Sequence, residues 1–493
     1  MVALDAPAPA PAPAPASVPA SASASASAVP AAGPRMDGRM RLVLVVLLVA
    51  QFMLAVDFSI LNVALPVIGQ GLGFSLGGLQ WIATSFALAA AGFTLLFGRI
   101  ADLVGRRRIF LGGMAVLGAA SLAGGLATGP EVLMAARVAQ GLATAAVTPA
   151  GLSLLTSAFP EGPLRDRALG LNGALMSAGF TTGAVLGGVL TDLLSWRWAF
   201  FVNVPVALAV LLVAPAVIKE SRPAERPRLD VPGAVTVTGG LLALVYGLTA
   251  AGEHGWSHPA VLVPLAAAAA LLAVFPLVER RSAAPLVPVR VLRRRTVVWG
   301  NLAGLVAFAT ETSLVFLMTL HLQDVLGFSP LAAGLSFGVL GAGTVLGGLL
   351  APRFIGRFSA RTALVAGGLL QAAATLPLVA LGDERSMYGL LLAATFAGGV
   401  GNMLAIVGFM VTATSGLPDA EQGMATGIAT MTQQVGITLG TPVMSAVVVT
   451  AATLPGGIAR AVAVNAAVVV AAAAASALFL RRPRGRTRRQ DAR

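Results

Sequence analysis

Fourteen stretches long enough to cross a bilayer as helices recur along the 493-residue chain, and no other feature limits its fold as tightly. They lie at roughly 42–66, 79–98, 109–128, 131–157, 168–191, 198–218, 231–251, 260–278, 296–320, 331–351, 362–381, 386–411, 423–450 and 460–480. Hydrocarbon offers the backbone no water to hydrogen-bond, so a chain that crosses it repeatedly does so as helices or as a closed barrel. Uninterrupted apolar runs of this length select helices. The seventh, thirteenth and fourteenth runs are the richest in Ala, Gly and Thr. A charged fraction of 11% and a mean hydropathy of +0.86 agree; a soluble domain is about one quarter charged. The expected fold class is an all-α polytopic membrane protein.

The placement of charge orients the chain. Residues 1–34 are an Ala/Pro/Ser run that cannot bury a core and is expected to be disordered. Arg35, Arg39 and Arg41 stand directly before the first apolar run, as for a retained helix with a cytoplasmic N-terminus rather than a cleaved signal. With both termini cytoplasmic, all but four of the 33 basic residues fall on the cytoplasmic side. Arg197, Arg385 and Arg460 fall outside, and Arg137 lies within a span. An odd number of spans would scramble this asymmetry. The net charge of +13 is therefore read as topology, with the tail from Arg481 against anionic lipid and no nucleic-acid partner. Absent cysteines and three scattered histidines exclude thiol chemistry and give no metal cluster, and no cofactor is expected.

Against this apolar background, a few polar residues stand out. Asp57 follows a run from Leu42 broken only by Gln51, and Ser59 and Asn62 come soon after it. A carboxylate near a helix centre costs about 2.5–3.5 kcal/mol on insertion scales, so it normally faces a wet cavity or a buried partner. Asp57 thus reads as part of a polar pathway, or else as a helix-end residue at the interface. Arg137 and Gln140 in the fourth run and Glu311 in the ninth pose the same question; Gln433 and Gln434 are weaker candidates for a shared cavity. Arg137 could serve coupling or merely tie two helices together. Glu311 could meet a cationic substrate or bond the threonines beside it.

The link between the second and third runs carries a longer pattern, Gly98-Arg99-Ile100-Ala101-Asp102-Leu103-Val104-Gly105-Arg106-Arg107-Arg108. This G-x-x-x-D-x-x-G-R-R-R spacing resembles the loop between helices 2 and 3 of the major facilitator superfamily. The stretch from Asp57 to Pro66 resembles the first-helix signature of its fourteen-helix drug:proton antiporter branch. Trp196–Pro205 and Leu322–Pro330 are similar to two further stretches of that branch, and Arg137-Val138-Ala139-Gln140-Gly141 resembles its R-x-x-Q-G motif. The resemblance implies two six-helix bundles with an inserted helix pair. Its boundaries would be residues 1–41 (N-terminal segment), 42–218 (first bundle), 219–295 (linker, inserted pair and basic connector), 296–480 (second bundle) and 481–493 (tail).

It also implies roles. Asp57 and Arg137 would couple protons; Ser59, Asn62, Gln140, Glu311, Gln433 and Gln434 would line the substrate cavity. Gly98, Asp102, Gly105, Arg106, Arg107 and Arg108 would form a cytoplasmic gate, Asp102 meeting the start of the thirteenth helix near Gly423. Gly179, Gly183, Gly187 and Gly188 in the fifth helix and Gly338, Gly343 and Gly347 in the tenth would let those two helices pack closely between the bundles. Where the family motif has a proline after its central glycine, this chain has Ala184, which removes the basis for a kink. The implied function is proton-coupled export of hydrophobic drugs or antibiotics, cationic ones included, through the cytoplasmic membrane. Uptake or uniport of a nutrient and a non-transporting sensor on the same fold are the alternatives. Neither a G-x-x-x-x-G-K-[ST] loop nor an H-E-x-x-H site occurs, so an enzyme is not expected.

Overall fold

The computed structural model describes residues 36–74, 76–159, 163–221, 230–282, 289–292, 294–415 and 419–480. The expectations for the Ala/Pro/Ser-rich N-terminus and the basic tail lie outside these residues. Fourteen long helices follow in chain order. The first seven are α1 (Gly38–Leu72), α2 (Leu76–Val104), α3 (Arg106–Gly125), α4 (Pro130–Ala158), α5 (Pro163–Leu193), α6 (Asn203–Val217) and α7 (Val231–His254). The others are α8 (Pro259–Arg281), α9 (Arg295–Leu320), α10 (Pro330–Arg357), α11 (Ala360–Thr375), α12 (Tyr388–Thr414), α13 (Asp419–Val448) and α14 (Leu454–Phe479). Among the described residues, thirteen spans are long and apolar enough to cross a membrane. The remaining helix, α13, has the length at 30 residues but is diluted by Gly, Thr and Gln.

The helix ends follow local chemistry. Asp37 caps α1 by accepting from the Met40 amide (2.6 Å), and Gly73 closes it in the left-handed region (φ 73°). Asp230 caps α7, and Ser329 followed by Pro330 starts α10. Arginines satisfy C-terminal carbonyls: Arg39 donates to Val217 at the end of α6, and Arg165 to Thr156 and Phe159 at the end of α4. The three arginines predicted for the outer side act in the same way. Arg197 donates to Gly125 and Ala127 after α3, Arg385 to Leu326 after α9, and Arg460 to Thr450 after α13.

Helices α1–α6 pack on one another, as do α9–α14. The face carrying the α2–α3 loop is called the basic face below. Two seams join the bundles. At one, α5 meets α10; at the other, α2 meets α13, and α7 lies against both. Thr438 Oγ1 donates to Ala87 O (3.1 Å) between α13 and α2, and Thr238 Oγ1 to Gly92 O (2.7 Å) between α7 and α2. Helix α8 packs on α7 and turns Leu262, Val263, Val274 and Leu277 outward.

The glycine expectation needs correction. Helices α5 and α10 do meet, but Gly179, Gly183 and Gly187 face α1: a Cβ would strike Phe52 O at 2.8 Å from Gly179 and Val56 O at 2.6 Å from Gly183. Gly343 and Gly347 likewise face the α12 backbone at Phe396 and Val400. The α5–α10 seam is made by Gly188 against Pro330 and Gly334, Gly338 against Val185, and Gly341 against Thr181. A four-residue stripe runs along one side of a helix, and α5 uses that side within its own bundle. Gly188, about 100° further round, faces the other bundle.

Candidate functional site

Asp57 lies midway along α1 and is fully buried. Its Oδ1 accepts from Gln140 Nε2 (3.0 Å) and from Asn203 Nδ2, while Oδ2 lies 3.6 Å from Arg137 Nη1. That last distance is Coulombic contact rather than a hydrogen bond, and Oδ2 accepts none. Arg137, also buried, donates through Nε to the Ile82 carbonyl (3.0 Å) and through Nη1 to Gln140 Oε1 (2.9 Å). Its guanidinium sits 4.2 Å from the centroid of the Phe86 ring. Gln140 also donates to Ser121 Oγ at 2.9 Å. The Asp57 cluster thus draws one side chain each from α1, α3 and α6 and two from α4, and its two charges balance. Isolating either charge would carry a desolvation penalty of several kcal/mol.

Beside this cluster is a cavity lined by both bundles. From the first bundle it is lined by Leu54, Ala55 and Phe58 of α1, Phe86 of α2, Thr144 and Thr148 of α4, and Met176 and Phe180 of α5. The second bundle adds Phe308, Glu311 and Thr312 of α9, Ile406 of α12, and Gln433, Gln434 and Ile437 of α13. Phe58 packs on Phe86 and Phe180, with ring centroids 5.9 and 6.1 Å apart. Such a chamber, mostly apolar with a few convergent polar groups, suits a hydrophobic molecule.

Of the six expected cavity residues, Glu311, Gln433 and Gln434 line this space. Gln140 belongs to the Asp57 cluster, Ser59 Oγ donates to the Phe180 carbonyl between α1 and α5, and Asn62 is buried away from the lining. A helix shows a central cavity only part of its circumference, so residues two to three positions apart on α1 face different neighbours. Sequence reasoning also passed over Asn203, Ser121 and the four phenylalanines. Asn203 and Phe58 stood inside the Trp196–Pro205 and Asp57–Pro66 stretches, so a signal existed; nothing distinguished Phe86 and Phe180 from the chain's other phenylalanines.

On the basic face, the expected gate residues form a network within the first bundle. Arg106 pairs with Asp102 (Nη2–Oδ1 2.9 Å) and donates to Ser157 Oγ at the end of α4 (2.8 Å). Arg107 Nη1 donates to the Ile218 carbonyl (3.0 Å) beyond α6. Gly105 precedes α3 at φ 124°, and Glu220 supplies the cap a glycine lacks: its Oε1 accepts from the Arg107 amide (3.0 Å) and its Oε2 lies 3.9 Å from Arg108 Nε. Gly98 faces Pro149 of α4. The expected meeting of Asp102 with the start of α13 near Gly423 falls on side chains outside the described residues.

Most of the chain has recognisable relatives. The Major Facilitator Superfamily matches residues 47–441 and 302–493. The cephamycin export protein CmcT of Amycolatopsis lactamdurans is 40% identical over 81% of this chain and 83% of its own length. The puromycin resistance protein pur8 of Streptomyces alboniger is 39% identical over 82% of this chain and 81% of its own length. A solved bacterial homologue of the human lysosomal transporter Spinster overlays with a TM-score of 0.62 at 17% identity, covering 92% of this chain and all of that one. By this family match and these identities, the chain belongs to the Major Facilitator Superfamily and is a membrane transporter rather than an enzyme.

Proposed function

We propose that the protein exports hydrophobic drugs or antibiotics, cationic ones included, across the cytoplasmic membrane in exchange for protons. The observation that carries this reading is the placement of an aromatic-lined chamber beside a sequestered carboxylate. Leu54, Ala55 and Phe58 line the chamber, and Asp57 between them turns away toward Arg137. The similarity to proteins named for cephamycin export and puromycin resistance supports export. The distribution of arginines supports a cytoplasmic basic face, and with an even number of spans it supports cytoplasmic termini.

Bundles at 42–218 and 296–480 rock about the chamber, the inserted pair lying within 219–295, and expose it to each side in turn. Protonation of Asp57 cancels its charge and releases its hold on Arg137, Gln140 and Asn203; loss of the proton restores it. The α1–α4–α6 contact is thereby tied to the proton, and α1 also lines the chamber. The arginine loop from Gly98 to Arg108 braces the cytoplasmic ends of α2, α3, α4 and α6, so that they move as one body. Gly188, Gly334 and Gly341 keep the α5–α10 seam close enough to pivot.

The test uses purified protein in liposomes with the basic face outward and an acidic lumen. A fluorescent lipophilic cation should accumulate inside as protons leave, and Asp57→Asn should abolish that accumulation. Accumulation indifferent to the gradient would instead identify a facilitator. Full gradient-driven transport by Asp57→Asn would remove Asp57 from the coupling path.

A further inference from the structure

The two halves treat their central polar residues differently. In the first bundle, Asp57 is matched by Arg137. In the second bundle, an uncharged cluster ties α9 to α11, α12 and α14. Asn465 Nδ2 donates to Ser313 Oγ (2.7 Å) and to the Thr310 carbonyl (3.1 Å), and Gln371 Nε2 donates to Thr310 Oγ1 (3.1 Å). Asn402 Nδ2 donates to the Ala307 carbonyl (3.0 Å). Residues 307, 310 and 313 therefore fix one side of α9 inside its bundle. Helical periodicity turns Phe308, Glu311 and Thr312 the other way, into the chamber.

Glu311 is the one ionisable side chain among those lining the chamber, and it forms neither a hydrogen bond nor an ion pair with any described residue. Arg137 cannot serve it, being buried behind Phe86 with its charge turned to Asp57. The other polar lining groups are neutral, and the hydroxyls of Thr144 and Thr312 donate to carbonyls one turn back, at Gln140 and Phe308. The aromatic faces around the carboxylate also favour positive charge. We infer that Glu311 reads the charge of the cargo, making the chamber select a lipophilic monocation over a neutral or anionic molecule of the same shape. This rests on the transport reading above but assigns cargo recognition to the second bundle, apart from Asp57.

Equilibrium binding to the full-length protein in nanodiscs, with no gradient imposed, tests the inference independently of proton coupling. The probes are tetraphenylphosphonium, the equally shaped anion tetraphenylborate, and neutral triphenylphosphine oxide. Wild type should prefer the phosphonium to the borate. Glu311→Gln should weaken phosphonium binding by about tenfold or more while the neutral oxide binds as before, and Glu311→Asp should keep the preference for the cation. Phosphonium binding unchanged in Glu311→Gln would overturn the inference. So would equal weakening of cation and neutral probe, which would mean that the substitution altered shape rather than charge, or a wild type indifferent to charge sign. Gradient-driven transport surviving any of these results would leave the proposed function standing; charge selection without transport would sink the function and spare Glu311.

Discussion

Gln323 reaches across from the second bundle and donates through Nε2 to the Val63 carbonyl of α1 at 2.9 Å. It sits in a π-helical turn, His321–Val325, that continues α9. Such turns shift the direction of side chains relative to an α-helix and recur at functional positions. On α1, Pro66 cannot donate back to residue 62, which loosens the backbone beside the accepting carbonyl. The bond lies on the face opposite the arginine loop, where α5 also touches α10 through Gly188.

Removing that bond should favour opening of this face. A spin-label pair at Leu194→Cys and Leu335→Cys, in a chain with no other cysteine, reports the separation of α5 and α10. Adding Gln323→Leu should lengthen or broaden the distance distribution. An unchanged distribution would mean that the glycine contacts alone hold the seam.

The Asp57–Arg137 pair predicts a non-additive pair of substitutions. Arg137→Met leaves Asp57 buried without its counter-charge and should destabilise by roughly 3–5 kcal/mol, read as a fall in the thermal midpoint. Asp57→Asn added to it should recover much of that loss, because no lone charge remains. Additive losses would show that the two side chains do not interact energetically.

Close approach at the α1–α5 contact makes its glycines sensitive to a single methyl group. Gly183→Ala should destabilise by roughly 1–3 kcal/mol, since the new Cβ would come within 2.6 Å of Val56 O. Gly112→Ala on α3, with nothing within 4 Å, is the control and should not lower the melting temperature.

Gly105 carries two constraints at once. Its φ of 124° disfavours any side chain, and a Cβ would lie 2.8 Å from Glu220 Oε1. Gly105→Ala should therefore displace Glu220 from the start of α3 and reduce transport more than Glu220→Gln, which keeps an amide oxygen to accept from Arg107. Transport assays on the two variants side by side decide the order; equal losses would assign the effect to Glu220 alone.

What could be read in advance follows from contrast. Asp57, Arg137 and Glu311 stand out because an ionisable residue in an apolar run is rare and expensive, and the structure brings the first two to 3.6 Å. The helix count was legible for the same reason. Asn203 was harder, since 146 residues separate it from Asp57 and only packing of α6 on α1 joins them. Which glycine faces which helix was not legible at all. Spacing defines a stripe, whereas the neighbour it meets depends on how α5 is rotated within its bundle. Phe86 and Phe180 were invisible for the opposite reason to the charges, because an apolar residue in an apolar run carries no contrast.

Helix α7, lying against both α2 and α13 with α8 outside it, breaks the twofold likeness of the two halves. One flank of the junction is screened by this pair; the other, where α5 meets α10, has no such cover among the described residues. A solute dissolved in the bilayer would therefore meet the junction unscreened on that flank alone, and a lateral route to the chamber would have to part the α5–α10 seam. If strongly partitioning compounds enter that way, two substrates of equal affinity would be moved at rates set by how much of each the membrane holds.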